Sequence, residues 1–472
     1  MTLAFEIEPG EPAPRARLTG GGLLRAHAPA FPAALALADA RGQQGAPSRR
    51  FTYAQADIGA DALASVFASL GLAPGDRIAV QLPNDALAPL VTLAAWRAGL
   101  TVVALPFLWR RYEIAQVTAE LKPQALLGAG AFEGHSIAHG LCDVAAKEMS
   151  VRFVLGFGPD LPDGVAPLDS LLDMTRHAVA PMQSGDLTSP ALVTFTARAG
   201  APFAPVVHTE DELLTLGSNG VEALSLDARD VLLNPFPFSS PAGLSFALMP
   251  WLLSGCTLLQ HQPFDLERFG AQLIEDGVTV TALPVPLITT LAATGILKDA
   301  RSRLRRLGCV RSRVQPCDAH PGEAEIGVPL FDLLSTGDGT PPEVTLRGAS
   351  GHRGALDRDE DLLQHGGFAV AASELDQLYR SFPGFLDAAA FAMPCPLLGD
   401  RILAAVVAKP AQSISREALC AFLARLDVAP YKYPERLVVV KSIPRDAQGR
   451  VLRDELVKAA SPFETDLRSS SG

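Results

Sequence analysis

Pro74-Gly75-Asp76-Arg77-Ile78-Ala79-Val80-Gln81-Leu82-Pro83-Asn84 leads into the apolar run Ala86 to Ala98, then Gly99, then Thr101-Val102-Val103-Ala104-Leu105. The hydrophobic period changes twice in this stretch. Ile78, Val80 and Leu82 alternate as in a strand, Ala86 to Ala98 reads as a buried helix stopped by Gly99, and Thr101 to Leu105 is a second strand. Strand, helix and strand at this spacing predict a parallel pair joined by a right-handed crossover. Upstream, after Phe51, Thr52 and Tyr53, apolar side chains at Ile58, Ala62, Val66 and Leu70 recur every four residues, as in an amphipathic helix, and Gly71 ends it. Downstream, a helix over Glu113 to Leu121 passes through Lys122-Pro123 into a strand at Gln124 to Leu127. The expected fold class is α/β, with doubly wound, mostly parallel sheets in a large N-terminal domain.

The alternation resumes with strands at Asp230 to Asn234, Thr257 to His261 and Val278 to Leu283, and helices at Leu244 to Leu253 and Leu266 to Asp276. Past Gly348 the texture turns polar and glycine-rich. A smaller α+β unit is expected there, with helices at Ala372 to Arg380, Arg416 to Leu426 and Val451 to Ala459, and strands at Leu386 to Ala392, Ile402 to Ala408 and Leu437 to Lys441. The domain reading is 1–356 for the large unit, 357–460 for the small one and 461–472 for a flexible tail.

The chain has 472 residues, of which 48% are apolar and only 19% charged, which excludes disorder. Pro89, Arg97, Gly99 and Pro106 interrupt the longest apolar stretch, Ala86 to Trp109, so no membrane span fits. A net charge of −11 argues against wrapping nucleic acid and favours small ligands. The first fifteen residues have neither a basic start nor an apolar run, and the six cysteines form no C-x-x-C pair; a cytoplasmic protein with reduced thiols is expected.

Together these segments resemble the superfamily of adenylate-forming enzymes: acyl- and aryl-CoA synthetases, luciferases and peptide-synthetase adenylation domains. Phe51-Thr52-Tyr53, Pro74 to Arg77, Leu82-Pro83-Asn84 and Trp96 to Gly99 carry the resemblance in the first half. Gly366 to Val370 with Glu374, Tyr431-Lys432-Tyr433-Pro434 and Ile443-Pro444-Arg445 to Arg453 carry it in the second. The resemblance implies ATP-dependent activation of a carboxylic acid through an acyl-adenylate toward a CoA thioester or an amide. ATP or AMP with magnesium, CoA and an acyl carrier protein are the implied cofactors and partners, and there is room for a homodimer.

The ATP-site motifs are degenerate. The family's phosphate loop, T-S-G-T-T-G-x-P-K-G, works through backbone N–H groups, hydroxyls and a lysine. The matching stretch is Phe195 to Ala204, where Thr196, Gly200 and Pro202 fit, Arg198 is a candidate replacement cation, and Phe203 stands in place of the lysine. The adenine and magnesium element Y-G-x-T-E and the ribose element T-G-D are both sought in Phe331 to Gly339; Asp338 serves the metal in one register and the ribose in the other. Arg358 is matched to the hinge and would face ribose or phosphate, with Glu360 or Asp361 as the pivot. The C-terminal lysine of P-x-x-x-x-G-K becomes Arg450, after Pro444 and Gly449. On the acyl side Ser240 takes a histidine's place, and Phe238, Gly243 and Leu244, with Phe236, would line an apolar pocket.

His135, His139 and Cys142 share one helical face, but three possible ligands without a fixed fourth leave no metal site assigned. The run Arg301, Arg303, Arg305, Arg306, Arg311 and Arg313 could attract CoA phosphates or an acidic carrier protein, but such a run is more often a solvated helix end. Two readings of the function follow. One is an acid-activating ligase working through altered residues; the other is a non-catalytic member that keeps the fold to bind acyl groups, nucleotides or another protein.

Overall fold

The structure, a computed structural model, describes residues 18–39, 48–132, 134–173, 186–198, 201–312, 326–335, 343–346, 361–366, 368–395, 399–410, 412 and 414–460. Two sheets face each other in the large part. One has seven strands, in the order Ala201–Thr209, Pro190–Arg198, Thr101–Ala104, Arg77–Gln81, Ala125–Ala129, Phe153–Phe157, Val165–Pro167. All its pairs are parallel except the first, an antiparallel hairpin. The other has eight, in the order Glu343–Leu346, Leu330–Ser335, Arg306–Ser312, Val280–Pro284, Val231–Asn234, Thr257–Gln260, Leu35–Ala38, Arg50–Thr52, with antiparallel pairs only at its two edges.

The expected strand, helix and strand appear at Arg77–Gln81, Leu87–Arg97 and Thr101–Ala104, with parallel register Ile78 to Val102. Gly99, at φ +73°, takes the left-handed turn that releases the chain from the helix. The helix Tyr53–Ser69 opens on Thr52, whose side chain accepts from the Gln55 N–H while the Gln55 side chain bonds back, a capping box. Its buried surface is broader than the predicted stripe: Tyr53, Ala56, Ala60, Leu63 and Phe67 are buried beside Ala62, whereas Ile58, Val66 and Leu70 are half-buried, because the helix packs against the helices Gly20–Ala30 and Leu87–Arg97 and the strands Leu35–Ala38 and Arg50–Thr52.

That placement explains two of the motif residues. The fully buried Arg97 side chain donates to Asp61 at 2.8 Å, to the Asp57 carbonyl at 2.9 Å and to the Asp57 carboxylate, tying two interior helices together. Asn84 Nδ2 donates to the Asn234 carbonyl at 3.0 Å, joining the carboxyl ends of strands in opposite sheets. Ligands bind α/β folds at such ends.

The predicted helix Leu244 to Leu253 begins as a π-helix, Gly243–Leu248, and continues as the α-helix Met249–Ser254. Pro250 has no N–H to return to the carbonyl four residues back, so the ladder shifts and the Met249 N–H bonds Leu244 O instead.

The small part, 361–460, folds around the antiparallel pair Phe385–Cys395 and Gly399–Ala408, with Arg436–Val439 and Leu362–His365 against the latter and Phe368–Ala371 beyond. Arg453 fastens its last helix, Arg453–Ala460, by donating to the Ala390 carbonyl at 2.5 Å and to Asp376 at 3.1 Å. Among the described residues no helix is long and apolar enough to cross a membrane. The expected domain boundary and tail lie outside the described residues.

Candidate active site at the domain junction

The stretch matched to the phosphate loop is a β-hairpin for most of its length. Thr196 and Arg198 belong to the strand Pro190–Arg198, and Thr196 pairs with Ala204 and Arg198 with Ala201 on the return strand. Among the described residues, Thr196 Oγ1 makes one long contact, 3.5 Å, to Ala197 O. Phe203 turns inward and is buried; its ring meets Trp109 edge-on at 5.2 Å, and Phe195 reaches Trp109 at 4.9 Å. Trp109 is held by Gln81, whose Nε2 donates to the Trp109 carbonyl at 2.9 Å.

From there the contacts pass into the small domain. Trp109 Nε1 donates to the Tyr431 hydroxyl at 3.0 Å, and the Tyr431 ring stacks on Phe368 at 4.5 Å. Lys432 follows, closed to solvent, with its Nζ 2.6 Å from Glu374 and 3.1 Å from Glu113, which is itself fully buried. Burial pushes the Glu374 carboxyl above its ordinary range, and the Lys432 charge works against that. Burial likewise raises the Tyr431 hydroxyl well above its usual value. Glu113, Lys432 and Glu374 were not assigned roles from the sequence, since a buried ion pair between residues so far apart leaves no local pattern.

Beside this junction is a cavity of about 90 Å³ lined by Phe107, Arg110, Phe132 and His135. The two aromatic rings meet edge-on at 4.8 Å. Desolvation lowers the pKa of Arg110, and desolvation followed by the nearby Arg110 charge lowers that of His135 against the opposing Asp427 charge, a net shift that favours the neutral imidazole.

On the acyl side, Ser240 Oγ donates to Pro237 O at 2.7 Å and accepts from the Gly243 N–H at 3.2 Å. Gly243 is required, because a Cβ there would overlap the Pro237 carbonyl. Phe238 and Leu244 are buried. Phe238 borders a cavity of only about 30 Å³ shared with Leu82, Asn84, Thr92 and Leu105, enough for ordered water and too small for an acyl group. Arg450 is 80% exposed; its Nε donates to Asp446 Oδ2 at 2.7 Å and its N–H to Oδ1 at 2.8 Å. Desolvation alone would raise the Asp446 carboxyl, but the bonds from Arg450 and Gln448 hold it below its ordinary value.

The sequence pattern of the AMP-binding enzyme family matches residues 24–346, and that of the AMP-binding enzyme C-terminal domain matches 374–450. The chain belongs to the AMP-binding enzyme family. These are adenylate-forming, acyl-CoA synthetase-like ligases. A salicylyl-CoA synthase / salicylate adenylyltransferase of a Streptomyces species is 26% identical over 86% of this chain and 88% of its own length. The medium-chain fatty-acid–CoA ligase of Escherichia coli is 24% identical over 85% of this chain and 84% of its own. Among solved structures, the amide bond synthetase McbA of Marinactinospora thermotolerans superposes with a TM-score of 0.75 at 18% identity, covering 93% of this chain and 99% of that one.

Of the residues assigned by the family resemblance, Gly200, Asp338 and Arg358 lie outside the described residues, as do Gly337 and Glu360. The second hinge acid, Asp361, accepts from Ser373 Oγ at 2.6 Å and from Arg453 at 3.0 Å, both of the small domain. Among the described arginines of the basic run, Arg301 pairs with Asp299 at 2.8 Å and Arg305 with Asp230 at 2.6 Å. His139 Nδ1 lies 2.6 Å from Ser136 Oγ, and no group of three or more metal-ligating side chains gathers among the described residues. For the phosphates of ATP the described hairpin is a poor fit: the side chain at 203 is a buried ring, and the ammonium over that ring, Lys432, is committed to two carboxylates.

Proposed function

We propose that the chain is an acid-activating ligase that joins a small apolar carboxylic acid to CoA, a carrier protein or an amine at the expense of ATP. What supports this reading is the match of both family patterns along almost the whole chain, together with relatives named as acyl- and aryl-CoA ligases over more than four-fifths of their length. In this reading Arg450 supplies positive charge near the reacting carboxylate, with Arg198, Thr196 and Gly200 toward phosphate and Asp338 and Arg358 toward ribose or metal. The buried phenylalanines around Gly243 suit an apolar acid, which requires the 30 Å³ cavity to enlarge when it binds. Arg110, with the ring of His135 and the flanking aromatic rings, suits the phosphates and base of CoA.

The second reading, a non-catalytic binding module, is favoured by one observation: Phe203 is packed inside where the family's loop carries a lysine. A thermal-shift panel with ATP, AMP, CoA and acyl-CoA, paired with pyrophosphate release, separates the two. The ligase reading expects ATP at 100 times its dissociation constant to stabilise the chain by about 2.7 kcal/mol, and pyrophosphate with at least one acid. Stabilisation by acyl-CoA with no pyrophosphate from any acid is the outcome of the second reading.

A further inference from the structure

One ammonium group gathers side chains from both domains. Lys432 Nζ lies 3.1 Å from Glu113 Oε1, 2.6 Å from Glu374 Oε1 and 4.6 Å from the centre of the Phe203 ring, with the Tyr112 and Tyr431 rings at 5.8 and 5.9 Å. Glu113, Tyr112 and Phe203 belong to the large domain, whereas Glu374, Tyr431 and Lys432 belong to the small one. The backbone crosses at the same place: the Ala429 N–H donates to Glu113 Oε1 at 3.1 Å, and the Tyr112 N–H to the Asp427 carbonyl at 3.1 Å.

We propose that Phe203 is the seat, and Lys432 the bolt, of a latch that fixes the small domain on the large one in this orientation. An aromatic face attracts an ammonium most strongly where water is excluded, and here the lysine is 2% exposed. Glu113 supplies the matching charge from the large domain, and Glu374 holds the lysine from its own. A side chain at 203 either stacks on Lys432 or offers charge to a phosphate; the ring does the first. Phenylalanine at this position is then a gained docking contact, and the hairpin that carries it holds a domain. The latch concerns docking alone and stands whether or not the chain forms adenylates.

Site-resolved hydrogen–deuterium exchange on the full chain tests it, because the Ala429 and Tyr112 amides donate across the junction. The Ala390 amide, which donates to Asp376, and the Leu105 amide, which donates to Val80, serve as controls inside each domain. Lys432→Met keeps the stem and removes the charge; exchange at Ala429 and Tyr112 should rise about tenfold or more while the controls hold. Phe203→Leu should raise it about threefold, as expected for the loss of a cation–π contact, and should add nothing in the Lys432→Met background. Unchanged protection of Ala429 in Lys432→Met overturns the latch, as do strictly additive effects of the two substitutions. Should Lys432→Met not fold, Glu113→Gln is read the same way. Failure of the ligase reading appears in pyrophosphate release and leaves these amides protected.

Discussion

Lys432 of the small domain places its ammonium 3.1 Å from Glu113 Oε1 of the large domain, and neither side chain is open to water. Removing one partner of a buried pair strands the other charge in a medium that solvates it poorly. Glu113→Gln and Lys432→Met should therefore each cost about 3–5 kcal/mol of unfolding free energy by urea denaturation, and the double variant clearly less than the sum. Losses below about 1 kcal/mol in both singles would mean the pair is no stronger than a surface one.

Asp85 carries a pH signature. It accepts the Leu87 and Ala88 N–H groups at the start of the helix Leu87–Arg97, and burial followed by the neighbouring Asp39 charge pushes its carboxyl up to about 7, against the Arg49 charge and those two bonds. An acid raised in the folded state keeps its proton there while the unfolded chain loses it, so stability falls as pH rises from about 4 to about 7. Asp85→Asn retains an acceptor and cannot ionise. It should flatten that fall and be more stable than the natural chain at pH 8 by at least about 1.4 kcal/mol, the equivalent of one unit of displacement. Parallel curves for the two proteins in chemical denaturation from pH 4 to 8 would refute the assignment.

Arg450 is exposed and bonded only within its own loop among the described residues. Arg450→Ala should leave stability within about 0.5 kcal/mol. If the guanidinium meets charge developing on the substrate, pyrophosphate release should fall by about 10²–10³ with the melting temperature unchanged. Equal rates would remove Arg450 from the chemistry.

Gly243 sits where the loop backbone doubles back on the π-helix. Gly243→Ala would force the Pro237 carbonyl to move, at a cost of about 1–3 kcal/mol, and should alter the near-ultraviolet circular dichroism of the surrounding phenylalanines. A neutral substitution would show that the loop yields freely.

Local signals were enough for many of the elements. The helix Ala372–Arg380 lies where its periodicity places it, and Leu87–Arg97 and Thr101–Ala104 fall within a residue or two of their predicted ends, because glycines, caps and apolar period act over a few residues. The stretch Phe195 to Ala204 matches a loop motif through its glycine, whereas most of it belongs to the hairpin Pro190–Arg198 with Ala201–Thr209, favoured by the strand-forming Val193, Phe195, Val206 and Val207 on either side. The stripe of Ile58, Ala62, Val66 and Leu70 understates the buried surface of Tyr53–Ser69, because a helix packed on two other helices and two strands buries more than one face. The candidate site was legible as positions that depart from a family pattern.

The amino-acid sequence by itself determined the α/β class, the order of many of the strands and helices, and the residues that depart from the family's ATP motifs, Phe203 and Arg450 among them. The tertiary structure decided what one of those departures does. A ring at 203 is simply a missing lysine until the chain, folded through two domains, carries Lys432 to within 4.6 Å of it and sets Glu113 and Glu374 on either side. Burial, and with it the strength of charge pairing and the displacement of carboxyl pKa values, is a property of what surrounds a residue in space, and residues more than three hundred positions apart supply those surroundings here.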